Sequence, residues 1–539
     1  MKTRTFLFVL LITLAIPIPS WSCTNLIVGK KASTDGSIFI SYSCDGYGFP
    51  GSLKYTPPAN YFAGEMYKLI NWDATKVSLE IPQPTHTYGV IGDINELQVA
   101  INETTFDGRP ELRDTLGRGI HYWTLMQLAL QRAKTAREAI HIMGDLVNKY
   151  GYQCTGESFS VADPNEAWIM EMIGKGSDEK GAVWVAVRIP DDCIAAHANQ
   201  SRIHQFSKYS STDCMYSKDV ISFARKKGYF SGKDKDFDFA NAYNPISFGG
   251  RRFCEARVWS FYQRYSTSMK KYISYIEGKD NNPMPLYIKP DRKLSLRDVE
   301  HMMRDHYEGT PLDPTQDISA GPFHSPYRMS ALTTEVDGKK MFNERFIGTP
   351  QAAFTLVSQL RSNMPNCVGG IMWYGLDDSS FTVFTPVYCC TNKVPESYTK
   401  EHATRDHFSW DSAFWVYNWV AGMVRPYYSL MIDDVLEVQN RLEDEYATHQ
   451  DSIEQKALAL YEKDPSQAKR FLTNYTQETA QKAFTSWKKL GEKLLFKYND
   501  GTKRNKKTGR LEKVAYPKAY NRAIIKATGS RYIEPTVDK

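Results

Sequence analysis

Cys23 is the residue around which this sequence offers chemistry. Residues 1–22 read as a removable leader. Lys2 and Arg4 give a short positive start, Phe6 to Ile18 is an uncharged and mostly apolar run, and Pro17 and Pro19 break it before Ser20-Trp21-Ser22. Small residues at Ser20 and Ser22 suit the two small-residue pockets of signal peptidase, so the expected cut falls before Cys23. That cut would place a thiol and a free α-amine on one residue. An α-amine titrates near 7.7–8.0, so it is partly neutral around pH 7 and can take the thiol proton. The thiol can then attack an amide carbonyl, and the ammonium can protonate the leaving amine. No catalytic histidine is needed. Two plainer readings compete: an ordinary disulfide cysteine, or a lipid-bearing cysteine. A lipid attachment box carries Leu three residues before the cysteine and small residues after it, and Ser20-Trp21 fits that poorly.

Other chemistry is sparse. His301 and His306 are five apart, as are His402 and His407, which is not the four-residue helical spacing of a zinc-peptidase motif. Cys389-Cys390 is poor geometry for joint ligation. There is no Gly-rich phosphate loop and no Gly-x-Ser-x-Gly elbow, so neither a metal nor a cofactor is expected. All nine cysteines follow the leader. An exported chain allows pairing, but an odd number leaves at least one thiol unpaired or joined to another chain.

The blocks around Cys23 carry a resemblance. Cys23-Thr-Asn-Leu-Ile-Val-Gly-Lys-Lys-Ala-Ser-Thr-Asp-Gly-Ser looks like the start of the bacterial dipeptidase family of cysteine N-terminal nucleophile (Ntn) hydrolases, relatives of penicillin V acylase and bile salt hydrolase. Gly89 to Thr105, Gly156 to Glu171, Trp184 to Ile203 and Ser412 to Val420 resemble further family blocks in the same order, over roughly 23–435. The resemblance implies roles for five residues. Cys23 is the nucleophile and its amine the base. Asp45 is the acid that orients the amine. Asn199 donates to the oxyanion, a task suited to an amide that does not titrate. Asn102 is a second wall of that hole. Arg252 supports the site, with Arg257, in Arg257-Val-Trp, as the competing choice. One position departs: where the family usually has Arg, three residues before the acid, this chain has Tyr42, which supplies no charge to lower the thiol pKa. Cys44, beside Asp45, is a second thiol that can trap the nucleophile on oxidation. On the residues alone, Asp45-Gly46 is also a turn signal, and Asn102 and Asn199 both begin glycosylation sequons.

The elements that must position these residues are legible in outline. The chain has 539 residues, 42% hydrophobic and 24% charged, which argues against wholesale disorder. Thr24 to Val28 and Ser37 to Tyr42 read as two strands joined by a Lys-Lys and Thr-Asp-Gly turn, a hairpin that would hold the new terminus in a sheet. Residues 23–110 and 155–200 read as strands, 115–150 as helix, 350–362 as helix, 367–388 as two strands, and Ser412 to Tyr498 as helix broken at Asp464-Pro465. The expected class is therefore α+β, and the resemblance implies the four-layer αββα Ntn-hydrolase sandwich with a C-terminal helical extension. The expected divisions are a signal peptide at 1–22, the hydrolase domain at 23–405, and a helical extension with basic tail at 406–539.

Charge sharpens the picture. The net charge is +6, and residues 497–539 carry twelve Lys/Arg against four Asp/Glu. The excess sits in a solvated tail and does not predict nucleic-acid binding; attachment to an anionic surface is the second reading. No later stretch is long and apolar enough to span a membrane. The sequence thus predicts a periplasmic or extracellular cysteine dipeptidase acting on small peptides, with oligomerisation left open. An N-acyl amide hydrolase is the alternative, and a lipid-anchored binding protein on a degenerate hydrolase fold is the third.

Overall fold

The computed structural model describes residues 23–70, 77–208, 210–328, 332 and 335–535. The expected leader at 1–22 lies outside them. The strands that build the two main sheets are, in chain order, β1 (Asn25–Val28), β2 (Ile38–Asp45), β3 (Tyr55–Thr56), β4 (Val90–Ile91), β5 (Ile94–Asn95), β6 (Ala100–Phe106), β7 (Gly156–Ala162), β8 (Ala167–Gly174), β9 (Ala182–Ile189), β10 (Ile194–His197), β11 (Cys214–Tyr216), β12 (Tyr287–Ile288), β13 (Ala352–Leu360), β14 (Ile371–Leu376) and β15 (Thr385–Tyr388). The main helices are α1 (Tyr122–Leu130), α2 (Ala136–Tyr150), α3 (Ala256–Tyr265), α4 (Ala413–Val424), α5 (Tyr428–Lys463) and α6 (Pro465–Lys497). One sheet has seven strands in the order β12-β10-β1-β2-β13-β14-β15. The other has eight, in the order β11-β9-β8-β7-β6-β5-β4-β3. Neighbouring strands are antiparallel in both. The class is α+β.

Burial explains the arrangement. Every residue of β2, β7 and β8 is buried, so each sheet is covered on both faces. The sheets meet through β1, β2, β6 and β7. Between them His197 bridges Thr104 at 2.7 Å and Ser160 at 2.8 Å. The outer face of the eight-stranded sheet packs on α1 and α2 through Leu125, Ile140, Met143, Phe159, Trp168 and Met170. Gly144 is needed there, because a Cβ would lie 2.7 Å from the Trp184 ring. The outer face of the seven-stranded sheet meets α4 at β14 and α6 at β15.

Local signals set the helix ends. Thr135 caps α2 by accepting from Glu138 N at 3.2 Å. Asp464 accepts from Ser466 N at 2.9 Å, and Pro465 starts α6 in the position where a missing N–H costs nothing. The helix expected over 350–362 is instead the strand β13, an interior strand between β2 and β14. The strand is almost wholly buried, and its apolar residues Ala353, Leu356, Val357 and Leu360 recur at helical spacing, so periodicity points to a helix where the sheet holds a strand. The basic tail carries a short hairpin (Thr502–Arg504 with Leu511–Lys513) and a helix at Lys518–Thr528 with no buried residue. All nine cysteines are free thiols. Among the described residues no helix is long and apolar enough to cross a membrane.

The helical arm is tied to the sheet by a buried charge. Arg361, just after β13, forms a two-pronged pair with Glu454 on α5 at 2.7 and 2.9 Å, and also donates to Gly369 O and Val368 O. Removing one partner leaves the other charge buried. Glu454→Ala is therefore expected to lower stability by about 3–5 kcal/mol, with Glu454→Gln losing less, as read by denaturant unfolding.

Candidate active site

Strand β1 places Cys23. It is hydrogen-bonded on one side to β10, pairing Asn25 with His197, and on the other to β2, pairing Ile27 with Ile40. Thr24 bridges to Ser43, with Ser43 N donating to Thr24 O at 3.0 Å. Cys23 therefore sits at the end of an interior strand and is fully buried.

Three elements converge on it. After β10 the chain turns at Asn199, which adopts φ +60°, a left-handed conformation that Asn tolerates better than most residues. A π-helical turn at Gly250–Glu255 runs into α3, which delivers Arg257. Arg257 Nη1 donates to Cys23 O at 2.6 Å and to Thr24 Oγ1 at 2.7 Å. Its Nη2 donates to Ala198 O at 3.1 Å and to Asn199 Oδ1 at 2.9 Å. Asn199 Nδ2 in turn donates to Thr105 O at 2.5 Å. One buried guanidinium thus fixes both the Cys23 backbone and the carboxamide beside it. Strand β2 brings Tyr42, Cys44 and Asp45. The Tyr42 hydroxyl lies 3.8 Å from Cys23 Sγ and donates to Glu103 Oε1 at 2.5 Å, while Glu103 Oε1 is 3.6 Å from the same sulfur.

The other expected residues fall as follows. Asp45 is fully buried, and Arg345 Nη2 donates to its Oδ2 at 2.6 Å. Arg252 does not touch Cys23; it pairs with Glu344 at 2.5 Å. Of the two arginines weighed from sequence, Arg257 is the one that contacts Cys23. Asn102 is fully buried on β6, opposite Ser160, and its side-chain nitrogen and oxygen meet no hydrogen-bond partner among the described residues. Three residues escaped the sequence reading: Glu103, Glu157 and Arg345. A hint for the first lay in the sequence, since a charged residue inside the strand-like run Val99 to Thr105 must be either exposed or special.

The electrostatics favour a protonated resting thiol. Burial, followed by Cys44, Glu103 and Asp45, pushes the Cys23 thiol well up from its ordinary value. Tyr42 adds no positive charge, so a standing thiolate is disfavoured. Among the described residues no histidine hydrogen-bonds Cys23. His197 is pinned between Thr104 and Ser160, and burial pushes it down to about 3, so it stays neutral. The site opens to a cleft of about 1300 Å³ whose walls include Asn199, Arg257, Thr105, Glu157 and Arg345. No group of three or more His, Cys, Asp or Glu among the described residues is arranged to hold a metal ion.

Several buried acids make stability depend on pH. Burial pushes Asp45, Asp93 and Asp377 each to about 7, and Glu300 to about 8. In the unfolded chain such groups titrate near 4. Between those limits the folded protein keeps protons that the unfolded chain has released, so stability falls as pH rises. His121 and His197, held neutral in the fold, oppose this only below about 6.5, where unfolded histidine gains its proton. Tm is therefore expected to fall steadily from pH 6.5 to pH 8 in calorimetric scans. A flat or rising Tm over that range would contradict these buried acids.

The chain is similar to known peptidases. The profile of peptidase family C69 matches residues 22–441. A protein of Latilactobacillus sakei named "Probable dipeptidase" is 25% identical over 480 residues, covering 85% of this chain and 92% of that protein. A "Probable dipeptidase" of Salmonella dublin is 26% identical over 387 residues, covering 68% of this chain and 81% of its own. "Probable dipeptidase B" of Lactococcus lactis is 25% identical over 520 residues, covering 89% and 98%.

Proposed function

The chain belongs to peptidase family C69 and is a peptidase, and from that premise we propose that it is an exported dipeptidase whose nucleophile is Cys23 and whose general base is the α-amine of the same residue. The observation that carries this reading is the grip of Arg257 on Cys23 O and Asn199 Oδ1, which holds a buried thiol beside a cleft, with no histidine hydrogen-bonded to the sulfur among the described residues. The relatives' names support peptides of two residues as substrates. The family match begins at residue 22, next to the expected cut, which supports the removal of 1–22 and export to the periplasm or beyond. Two face-to-face antiparallel sheets with helices on both outer faces support the αββα Ntn sandwich.

In this mechanism the amine takes the thiol proton as sulfur attacks the scissile carbonyl carbon. The oxyanion is met by the Asn199 carboxamide, whose plane Arg257 and Thr105 fix in advance. Collapse breaks the C–N bond, and the ammonium returns the proton to the leaving amine. Water, deprotonated by the same amine, then hydrolyses the thioester and restores the thiol. Asp45, with Arg345, orients this end of β2 beside the amine.

The test is an intact mass of the protein exported from a cell that processes the leader, followed by assays on dipeptides and on N-acyl amino acids. The expected mass begins at an unmodified Cys23, and the expected preference is for dipeptides. Acyl chains on Cys23, an N-terminus elsewhere, or hydrolysis of N-acyl amides alone would overturn the proposal.

A further inference from the structure

Next to the nucleophile lies a pair of acids that the mechanism above does not use. Glu103 on β6 and Glu157 on β7 are both fully buried. Thr105 pairs with Glu157 in the ladder, so the two acids are diagonal neighbours, and their carboxyl groups meet side chain to side chain. One oxygen of each is satisfied by a hydroxyl: Tyr42 donates to Glu103 Oε1 at 2.5 Å, and Thr105 donates to Glu157 Oε1 at 2.8 Å. The other oxygen of each, Oε2, is buried and meets no partner among the described residues beyond the facing carboxyl group, with which a shared proton can bridge the pair. No ion pair reaches either acid among those residues. Glu157 lines the cleft, and Glu103 stands 3.6 Å from Cys23 Sγ. Burial, and for Glu157 the facing Glu103, keeps protons on this pair, so a cation that arrives there finds carboxyl groups able to ionise and pair with it.

We propose that Glu103, backed by Glu157, receives the free α-ammonium of the substrate, so that the site cleaves only the bond next to an unblocked N-terminal residue. This rests on Cys23 being the nucleophile of a dipeptidase. The argument is one of reach. A sulfur poised to attack stands about 3–3.5 Å from the scissile carbonyl carbon. In an N-terminal residue the α-nitrogen is only about 2.5 Å from that same carbon, two bonds away. An acid 3.6 Å from the sulfur can therefore be reached by that ammonium when the substrate is turned with its N-terminus toward β6. An acyl group in its place is bulkier, carries no charge, and leaves two buried carboxyl groups unanswered. The acid pair thereby separates a dipeptidase from an N-acyl amide hydrolase working with the same nucleophile.

The experiment compares kcat/KM for a dipeptide with that for the same compound lacking its α-amino group, in the wild type, Glu103→Gln and Glu157→Gln. Thermal melts of each variant run alongside. The wild type is expected to favour the free amine by at least about 10³-fold. Glu103→Gln is expected to reduce that ratio by about 10²-fold or more, and Glu157→Gln by less. If Glu103→Gln does not fold, Glu157→Gln at the cleft wall decides. A wild-type ratio below tenfold would overturn the inference without any variant. So would a ratio that stays within threefold of the wild type in the folded variants, with both substrates falling in parallel, because Glu103 would then be serving the enzyme's own amine or thiol. A dipeptidase that depends on Cys23 but shows either result defeats only this inference. Activity that survives Cys23→Ala defeats the mechanism beneath it.

Discussion

Cys23→Ala is expected to abolish dipeptide hydrolysis, and Cys23→Ser to retain no more than about one part in 10³ of kcat/KM. The size follows from the base. An α-amine with a pKa near 8 is a fair match for a thiol but a poor one for an alcohol, whose proton it cannot remove to a useful extent. The loss should fall on kcat, because the cleft walls that bind the peptide are untouched. Cys23 is fully buried, and Ser is nearly its size, so Tm should move little and an effect on activity cannot be ascribed to unfolding. A companion protein that keeps one extra residue before Cys23 should be equally inactive. It retains the thiol but has an amide where the base should be, and burial beside Glu103 and Asp45 keeps that thiol protonated. Full activity in Cys23→Ser, or in the extended chain, would remove the amine from the mechanism.

How much of this was legible depends on the range of the forces involved. The opening hairpin, the helical character of 115–150 and the break at Asp464-Pro465 are local, and each was readable from periodicity and turn chemistry, whereas the division of 115–150 into α1 and α2 was not read. The strand β13 was not, because it is an interior strand whose ladder partner β2 lies more than 300 residues away along the chain, with β14 on its other edge, and nothing in its own composition says so. The site divides in the same way. Cys23 stood out in the sequence through the expected cut before it. Asn102 and Glu103 are adjacent on β6, so strand alternation turns their side chains to opposite faces, and it is Glu103 that approaches the sulfur. A sequence block points to a neighbourhood and leaves the face open. Arg345 was invisible because its link to Asp45 spans 300 residues. Arg252 and Arg257 lie in one short stretch, and only the π-helical turn between them, which shifts the helical phase, decides which one faces Cys23.

That last choice is open to a sharp test. Arg257→Lys and Arg257→Met are expected to lower kcat/KM by about 10²–10³-fold, with the loss carried by kcat. Arg252→Met is expected to lose much less. Arg257 is a positioning residue: it touches Cys23 O, Thr24 Oγ1, Ala198 O and Asn199 Oδ1, and no reacting atom. A planar guanidinium reaches these acceptors through two nitrogens held in one rigid plane. Lysine has a single nitrogen and cannot reproduce that fork, so the conservative change should rescue little. Without the fork, Asn199 can turn its carboxamide away from the oxyanion, and a misplacement of about 1 Å is enough for a 10²-fold loss. Arg257→Met also strands buried acceptors, at about 1–3 kcal/mol each, so its Tm should fall further than that of Arg257→Lys. The two readouts then separate the roles. If Arg257 only stabilised the fold, activity in the two variants would track their Tm values, and Lys would be close to wild type. If it positions Cys23 and Asn199, Lys and Met share nearly the same deficit in kcat while differing in Tm, and KM for the dipeptide stays within a few-fold of the wild type in both.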